Sequence, residues 1–311
     1  MADSAGGALA AVDCGTNSTR LLVADAFGRN LMRRMRITRL GAGVDATGRL
    51  DEAAVRRTLA VLEEYRAVMD DLGVDRIRVS ATSAVRDSSN AEAFLEPARG
   101  ILGADLRVLK GTEEGALSYK GATADLDQAL GPFLVVDVGG GSTELVTDSE
   151  GGLSAVSLDI GCVRVTERFL LSDPPSAAEL RDARRYVTDL VAAARAGHPE
   201  WDRARLMVGL AGTVSALARL ALGLISYDRD RIHHSRLTLE RTQALLDELA
   251  ALPVAARREL PAMEVERADV LVGGALVLAM VMDTLGHEEF LVSESDILDG
   301  MIYSLLEEVP G

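Results

Sequence analysis

The chain has 311 residues, 48% of them hydrophobic, which excludes a disordered polymer and gives two domains room to bury a core each. A net charge of -15 and 4% aromatic content argue against a nucleic-acid binder, because the field repels phosphate chains and few rings can stack on bases. Two cysteines cannot build a disulfide framework or a zinc cluster, so a reducing cytoplasm is the expected compartment.

The N-terminus lacks the basic region and long apolar stretch of a signal peptide, and no membrane association is expected. The first apolar run, Ala8 to Val12, leads into Asp13-Cys14-Gly15-Thr16-Asn17-Ser18-Thr19-Arg20-Leu21 and then into Leu21 to Ala24. A small, hydroxyl-rich turn between apolar runs predicts a β-hairpin. A third strand to Ile37 follows, with Gly28 at the turn. Cys14 reads as a small thiol that fits the turn in preference to a nucleophile. Its resemblance to a lipid-attachment box is spoiled by Asp13 beside it. Gly41 to Gly48 is expected to be a loop.

Asp51 opens an amphipathic helix to about Leu72, with Val55, Leu59, Leu62, Tyr65, Val68 and Met69 on one face. Ile77 to Ser80 predicts a strand that leads into the small-residue run Ala81-Thr82-Ser83-Ala84-Val85-Arg86. Asn90 is placed to cap the next helix, and Leu106 to Leu109 predicts a strand ending at Gly111. Thr112 is placed to cap a helix that begins Glu113-Glu114.

Phe133 to Val136 then leads into Asp137-Val138-Gly139-Gly140-Gly141-Ser142-Thr143-Glu144-Leu145, a second copy of the first hairpin signature. A strand through Val156 to Leu158, a helix after Gly161, and a long helix from Ala177 to Ala196 behind Pro174-Pro175 follow. Leu206 to Gly209 predicts a strand, and Ala211-Gly212-Thr213 opens another helix. Leu239 to Leu252 and Val265 to Leu285 are expected helical, Phe290 to Val292 a strand, and Ile297 to Leu306 a closing helix. Val270 to Met282 is too short to span a bilayer and reads as a buried helix. Strands grouped before helices in each half predict a duplicated mixed α/β domain with a cleft between the copies. The seam is expected near Ala124 to Pro132, giving domains 1–128 and 129–294.

The repeated turn points to an anion. Small residues let backbone N–H groups approach closely, the hydroxyls of Ser18, Thr19, Ser142 and Thr143 add donors, and the leading carboxylates Asp13 and Asp137 can hold a cation. Gly139-Gly140-Gly141 is not a Walker loop, since no Lys follows, nor a dinucleotide fingerprint, since a strand follows the glycines. Asp137 and Glu144 suit a Mg²⁺ bridged to phosphate oxygens, although Glu144 also reads as an ordinary solvated strand residue. Glu113 and Glu114 read either as acids that complement a helix dipole or as the source of a general base, and at most one of two adjacent side chains, about 100° apart on a helix, faces a given site. Arg86 reads as a phosphate fork or as a surface partner of Asp87. Gly212-Thr213 is an anion site by geometry, though such a helix start is common. His233-His234 read as hydrogen-bonding histidines in preference to metal ligands, since no Cys or third His is near.

Asp13-x-Gly15-x-Asn17-Ser18, Ala81 to Arg86, Glu113-Glu114, Asp137-x-Gly139-Gly140-Gly141-Ser142-Thr143-Glu144 and Gly212-Thr213 resemble, in order and spacing, the exopolyphosphatase/guanosine-pentaphosphate phosphohydrolase family. The resemblance runs from Ala11 to about Tyr303. It implies two ribonuclease-H-like domains of the actin and sugar-kinase superfamily, with the closing helix, about 295–311, packed back on the first. It implies that Glu114 deprotonates the attacking water, that Asp137 and Glu144 match the magnesium-associated acids, and that Gly139 to Thr143 match the phosphate loop. Asn17, Ser18 and Arg86 would match phosphate contacts. Longer relatives add C-terminal helical domains, so a two-domain form is expected. The family's Leu-Arg-Glu-Gly reads Ile297-Leu298-Asp299-Gly300 here, so Arg164 or Arg168 would have to substitute for the missing Arg. The expected activity is Mg²⁺-dependent release of terminal phosphate from polyphosphate by a cytoplasmic homodimer. Guanosine pentaphosphate is the alternative substrate. A kinase with an adenine pocket near Gly212 and Gly273-Gly274, or a non-catalytic phosphate or nucleotide sensor, are the alternatives of another class.

Overall fold

The computed structural model describes residues 7–308. They divide into two compact units, one running to Gly121 and resuming at Ile297, the other Ala122–Asp296.

In the first unit, β1 (Ala8–Cys14), β2 (Ser18–Ala24) and β3 (Asn30–Ile37) form an antiparallel meander. Then come α1 (Val44–Thr47), α2 (Glu52–Asp71), β4 (Val74–Ala81), α3 (Ser83–Arg86), α4 (Glu92–Leu102), β5 (Leu106–Val108) and α5 (Gly111–Thr123). The sheet order is β3-β2-β1-β4-β5, with β4 and β5 joined in parallel to β1. The period of two along β1 and β2 separates two cores. Ala10, Val12, Cys14, Leu21 and Val23 pack under α2 and α4, while Leu9, Ala11, Leu22 and Ala24 pack under the closing helix. Asp51 caps α2 by accepting the Ala54 N–H at 2.9 Å, which satisfies one of the helix's orphan donors.

The second unit repeats the plan. It contains β6 (Phe133–Val138), β7 (Thr143–Ser149), β8 (Gly152–Leu158), α6 (Cys162–Phe169), α7 (Ala177–Gly197), β9 (Leu206–Leu210) and α8 (Ala211–Ala221). It goes on through α9 (Arg229–Ile232), β10 (Arg236–Thr238), α10 (Leu239–Ala250), α11 (Val254–Arg258), α12 (Leu271–Leu285) and β11 (Glu289–Val292). Its order is β10-β11-β9-β6-β7-β8. Without the edge strand β10, this is the first sheet again: a meander with two parallel strands beside its first member. Both sheets are ribonuclease-H-like. β6 and β9 are buried along their whole length, as central strands covered on both faces are, and Asp137 is the one charged residue within them. Every residue of α12 from Leu271 to Met282 is buried, against α6, α7, α8 and α10.

The closing helix α13 (Ile297–Glu307) lies on β1 and β2 of the first unit. A Cβ on Gly300 would stand 2.0 Å from the Leu117 carbonyl oxygen, so α13 and α5 meet backbone to backbone.

Four local expectations change. Gly41 to Gly48 encloses the one-turn α1. Asn90 does not cap α4; its amide accepts the Leu50 N–H at 2.8 Å and donates to the Leu50 carbonyl at 3.0 Å, pinning the loop before α2. Thr112 lies inside α5, and the start of that helix is tied down by Glu113, which accepts the Lys110 N–H at 2.9 Å. The gap between the two expected helices holds the added α11, the second helix starts at Leu271 and not at Val265, and the three-residue β10, with one buried side chain, is too short to show a period.

Candidate active site

The two signature turns are built alike. Gly15 N–H donates to the Ser18 carbonyl at 2.9 Å, and Gly139 N–H to the Ser142 carbonyl at 3.0 Å. A Cβ on either glycine would lie 3.0 Å from that same carbonyl oxygen, so each turn closes tightly because its first residue is Gly. The last hydroxyl of each signature serves the fold. Thr19, with no exposure, bonds Thr38 at 2.8 Å, and Thr143, equally buried, donates to the Ile160 carbonyl. Neither hydroxyl is presented to a ligand, whereas Ser18 is partly exposed.

Asn17 is 5% exposed, and both polar atoms of its amide are buried without a hydrogen-bond partner. Buried amides are ordinarily satisfied, so this one has both a donor and an acceptor to offer. Thr16 joins the same turn to α3 through a 2.8 Å contact with Ser83, a link that the sequence reading passed over. Cys14 is buried and its thiol is pushed well above its ordinary value by desolvation, with Asp13 adding to the effect, so it stays protonated and is no nucleophile.

In the same unit, Arg86 ends α3, donates to the Leu109 carbonyl at 3.0 Å, and stands 3.7 Å from Glu114 and 3.6 Å from Asp87. Glu114 is in the first turn of α5 with its side chain 12% exposed. Glu113 turns instead to the Lys110 N–H and to Arg107 at 3.2 Å.

The registers of the two hairpins expose the difference between them. In the first, Asp13 faces Arg20; in the second, Asp137 faces Glu144. Asp13 is neutralised by Arg20 at 2.6 Å and also accepts from Ser80 at 3.0 Å. Asp137 and Glu144 are 6% and 1% exposed, and Ser157 donates to Glu144 at 2.7 Å. Two buried carboxylates at facing positions repel, and a bound cation relieves that repulsion.

The glycine loop of the second unit is backed by α6. A Cβ on Gly161 would come within 2.3 Å of the Gly140 carbonyl, and Cys162 and Val163 donate their N–H groups to the carbonyls of Gly139 and Gly140. Arg164 reaches the loop, donating from Nε to the Gly141 carbonyl at 2.7 Å. Arg168 does not; it bonds the Tyr186 hydroxyl at 3.0 Å and stacks on that ring.

Gly212 and Thr213 stand in the first turn of α8, after Ala211 with φ 75°. The buried Arg267 guanidinium covers Gly212, where a Cβ would lie 2.3 Å from it, and Arg267 is held from behind by Glu264 at 3.0 Å. The sequence reading missed Arg267 because only the fold brings the 3-10 turn Val265–Arg267 to α8. Gly273 and Gly274 are consumed in packing, against Thr166 and Thr213 at 2.4 Å each for an added Cβ, and so do not line a nucleotide pocket. His233 and His234 meet Asp125, at 2.8 and 3.5 Å. No helix among the described residues is long and apolar enough to cross a membrane.

Comparison with known proteins agrees with this geometry. Residues 23–309 match the Ppx/GppA phosphatase family. Exopolyphosphatase 2 of Mycobacterium tuberculosis is 42% identical over 313 residues, covering 96% of this chain and 98% of its own. Among solved structures, an exopolyphosphatase-like protein is 35% identical with a TM-score of 0.92, covering 96% of this chain and 99% of that one. The Aquifex aeolicus Ppx/GppA family member is 30% identical with a TM-score of 0.81, over 98% and 99% of the two chains. With two ribonuclease-H-like sheets and a family match over nearly its whole length, the chain belongs to the Ppx/GppA phosphatase family.

Proposed function

We propose that this protein is an exopolyphosphatase, a phosphoanhydride hydrolase that releases terminal phosphate from inorganic polyphosphate in the cytoplasm. The observation that carries the reading is the second turn, where Arg164 donates to a run of three consecutive glycines and two buried carboxylates face each other across the hairpin. The 42% identity to an exopolyphosphatase supports the choice of substrate.

In this reading Glu114 takes a proton from water as the water oxygen attacks the terminal phosphorus, and the bond to the bridging oxygen breaks. Arg86 orients the Glu114 carboxylate. Asn17, Ser18 and Arg86 are the candidate phosphate contacts within the first unit, and Gly140, Gly141, Ser142, Arg164, Gly212 and Arg267 those within the second, each unit taken by itself. Positioning and charge neutralisation supply most of the rate. Asp137 and Glu144 fit a divalent cation, Mg²⁺, which when bound would neutralise charge on phosphate oxygens. Asp13, already paired with Arg20, braces its turn.

The test is phosphate release by the purified protein with Mg²⁺ from short and long polyphosphate, guanosine pentaphosphate and ATP, beside Glu114→Gln. Release from polyphosphate is expected, with a loss of roughly 10² to 10⁴-fold in the variant. Release from guanosine pentaphosphate alone would replace the substrate, and release from none would sink the hydrolase reading.

A further inference from the structure

The chain passes between the two units twice, at Gly121/Ala122 and at Asp296/Ile297. Within the second unit, one short segment grips both passages. Asp125, two residues beyond the end of α5, meets His233 Nε2 at 2.8 Å. On the return passage, Glu294 N–H donates to His233 Nδ1 at 3.1 Å, Arg229 donates to the Ser295 hydroxyl at 3.0 Å, and the Tyr227 hydroxyl bonds the Glu294 carboxylate. A single imidazole thus joins the outgoing passage to the returning one. His234 stacks on it at 3.8 Å, from a left-handed backbone position at φ 63°.

The cluster Asp125, His233 and His234 has the donor types of a metal site, with its ligand atoms within 4.8 Å of one another. The tautomer argues otherwise. Nδ1 accepts a backbone N–H, so it carries a lone pair, and the neutral ring holds its proton on Nε2, where it donates to Asp125. A metal on Nε2 would move that proton to Nδ1, against the Glu294 N–H.

We propose that His233, as a neutral Nε2–H imidazole, is a positioning residue for the hydrolysis, acting through Asp125 on the end of α5. That helix carries Glu114 in its first turn, and its middle touches α13, which starts directly after the return passage. Tying Asp125 to Glu294 holds together, within the second unit, the segment that follows α5 and the segment that precedes α13. The inference rests on the hydrolase reading for its kinetic consequence but not for the clasp itself.

The experiment uses the full chain with His233→Ala, His233→Gln, Asp125→Ala and the double alanine variant. Two readouts are taken: kcat and KM for polyphosphate, and amide hydrogen exchange at 124–126 and 294–296. His233→Ala should lower kcat about ten-fold with KM changed less than about two-fold, since a misplaced base slows the chemical step and leaves binding intact. Asp125→Ala should do the same, the double variant should add little to either, and His233→Gln, whose amide can still donate to Asp125, should recover most of the rate. Exchange in both segments should rise together in His233→Ala. A wild-type kcat in His233→Ala would overturn the proposal, as would exchange that stays at the wild-type level. Zn²⁺ binding by the wild type that is lost in these variants would replace the clasp with a metal site. If the wild type releases no phosphate, the hydrolase reading and the kinetic role fall together, while the exchange data still decide whether the clasp exists.

Discussion

At the scale of single residues, the site depends on which side chains are already committed. Thr19 and Thr143 look like phosphate donors in a linear signature, yet both hydroxyls are spent inside the fold. Asp13 and Asp137 look equivalent, yet the residue facing each one gives them opposite surroundings. Asp137→Ala and Glu144→Ala should each lower kcat/KM with Mg²⁺ by at least about ten-fold, in a way that added Mg²⁺ partly restores, because a ligand is lost and the phosphate loop remains. Arg20→Ala should instead lower thermal stability, by roughly 3 kcal/mol, because it strands a buried carboxylate that extra metal cannot rescue. Equal metal rescue of both classes of variant would show that the two turns have been wrongly distinguished. The two turns were legible in the sequence, since small residues, hydroxyls and acids are local signals. Arg267 was not legible, since its role depends on meeting Gly212 across the fold.

Among the elements, contact between backbones decides which glycines matter. Gly300 touches Leu117, Gly161 touches Gly140, and Gly273 and Gly274 seat α12 on α6 and α8. Gly300→Ala should destabilise the protein by roughly 1–3 kcal/mol, since the added methyl would meet a backbone carbonyl that cannot step aside. Gly197→Ala, in open space at the end of α7, should be neutral or slightly stabilising, by up to about 1 kcal/mol. Thermal melting of the two variants checks the contrast, and equal melting temperatures would refute it. The long helices and the meanders could be read from period and caps. The short α11 and the edge strand β10 could not, because three to five residues carry too little pattern.

For the whole molecule, the acidic balance coexists with carboxylates held far from neutrality. The Ser172 and Ser176 hydrogen bonds hold Glu179 at about 2, and Ser154 with His198 does the same for Glu200. Burial also lowers His233 and His287 below 6.5. All four groups bind protons more readily in the unfolded chain, so each stabilises the fold at higher pH. The histidines begin to withdraw that support as pH falls below 6.5, and the two glutamates add to the loss from about 4.5 down to about 2. Melting temperature should therefore fall in two stages on acidification, and Glu200→Gln should weaken the lower one. A melting temperature that is flat between pH 6.5 and 3 would contradict this.

Arg20 and Glu144 occupy the same register position in two hairpins of like build. One hairpin pairs its leading acid with a guanidinium and the other sets a second acid against it, so the two are not interchangeable. Grafting either hairpin onto the other unit should leave a protein that folds its sheets and has lost the division of labour between them.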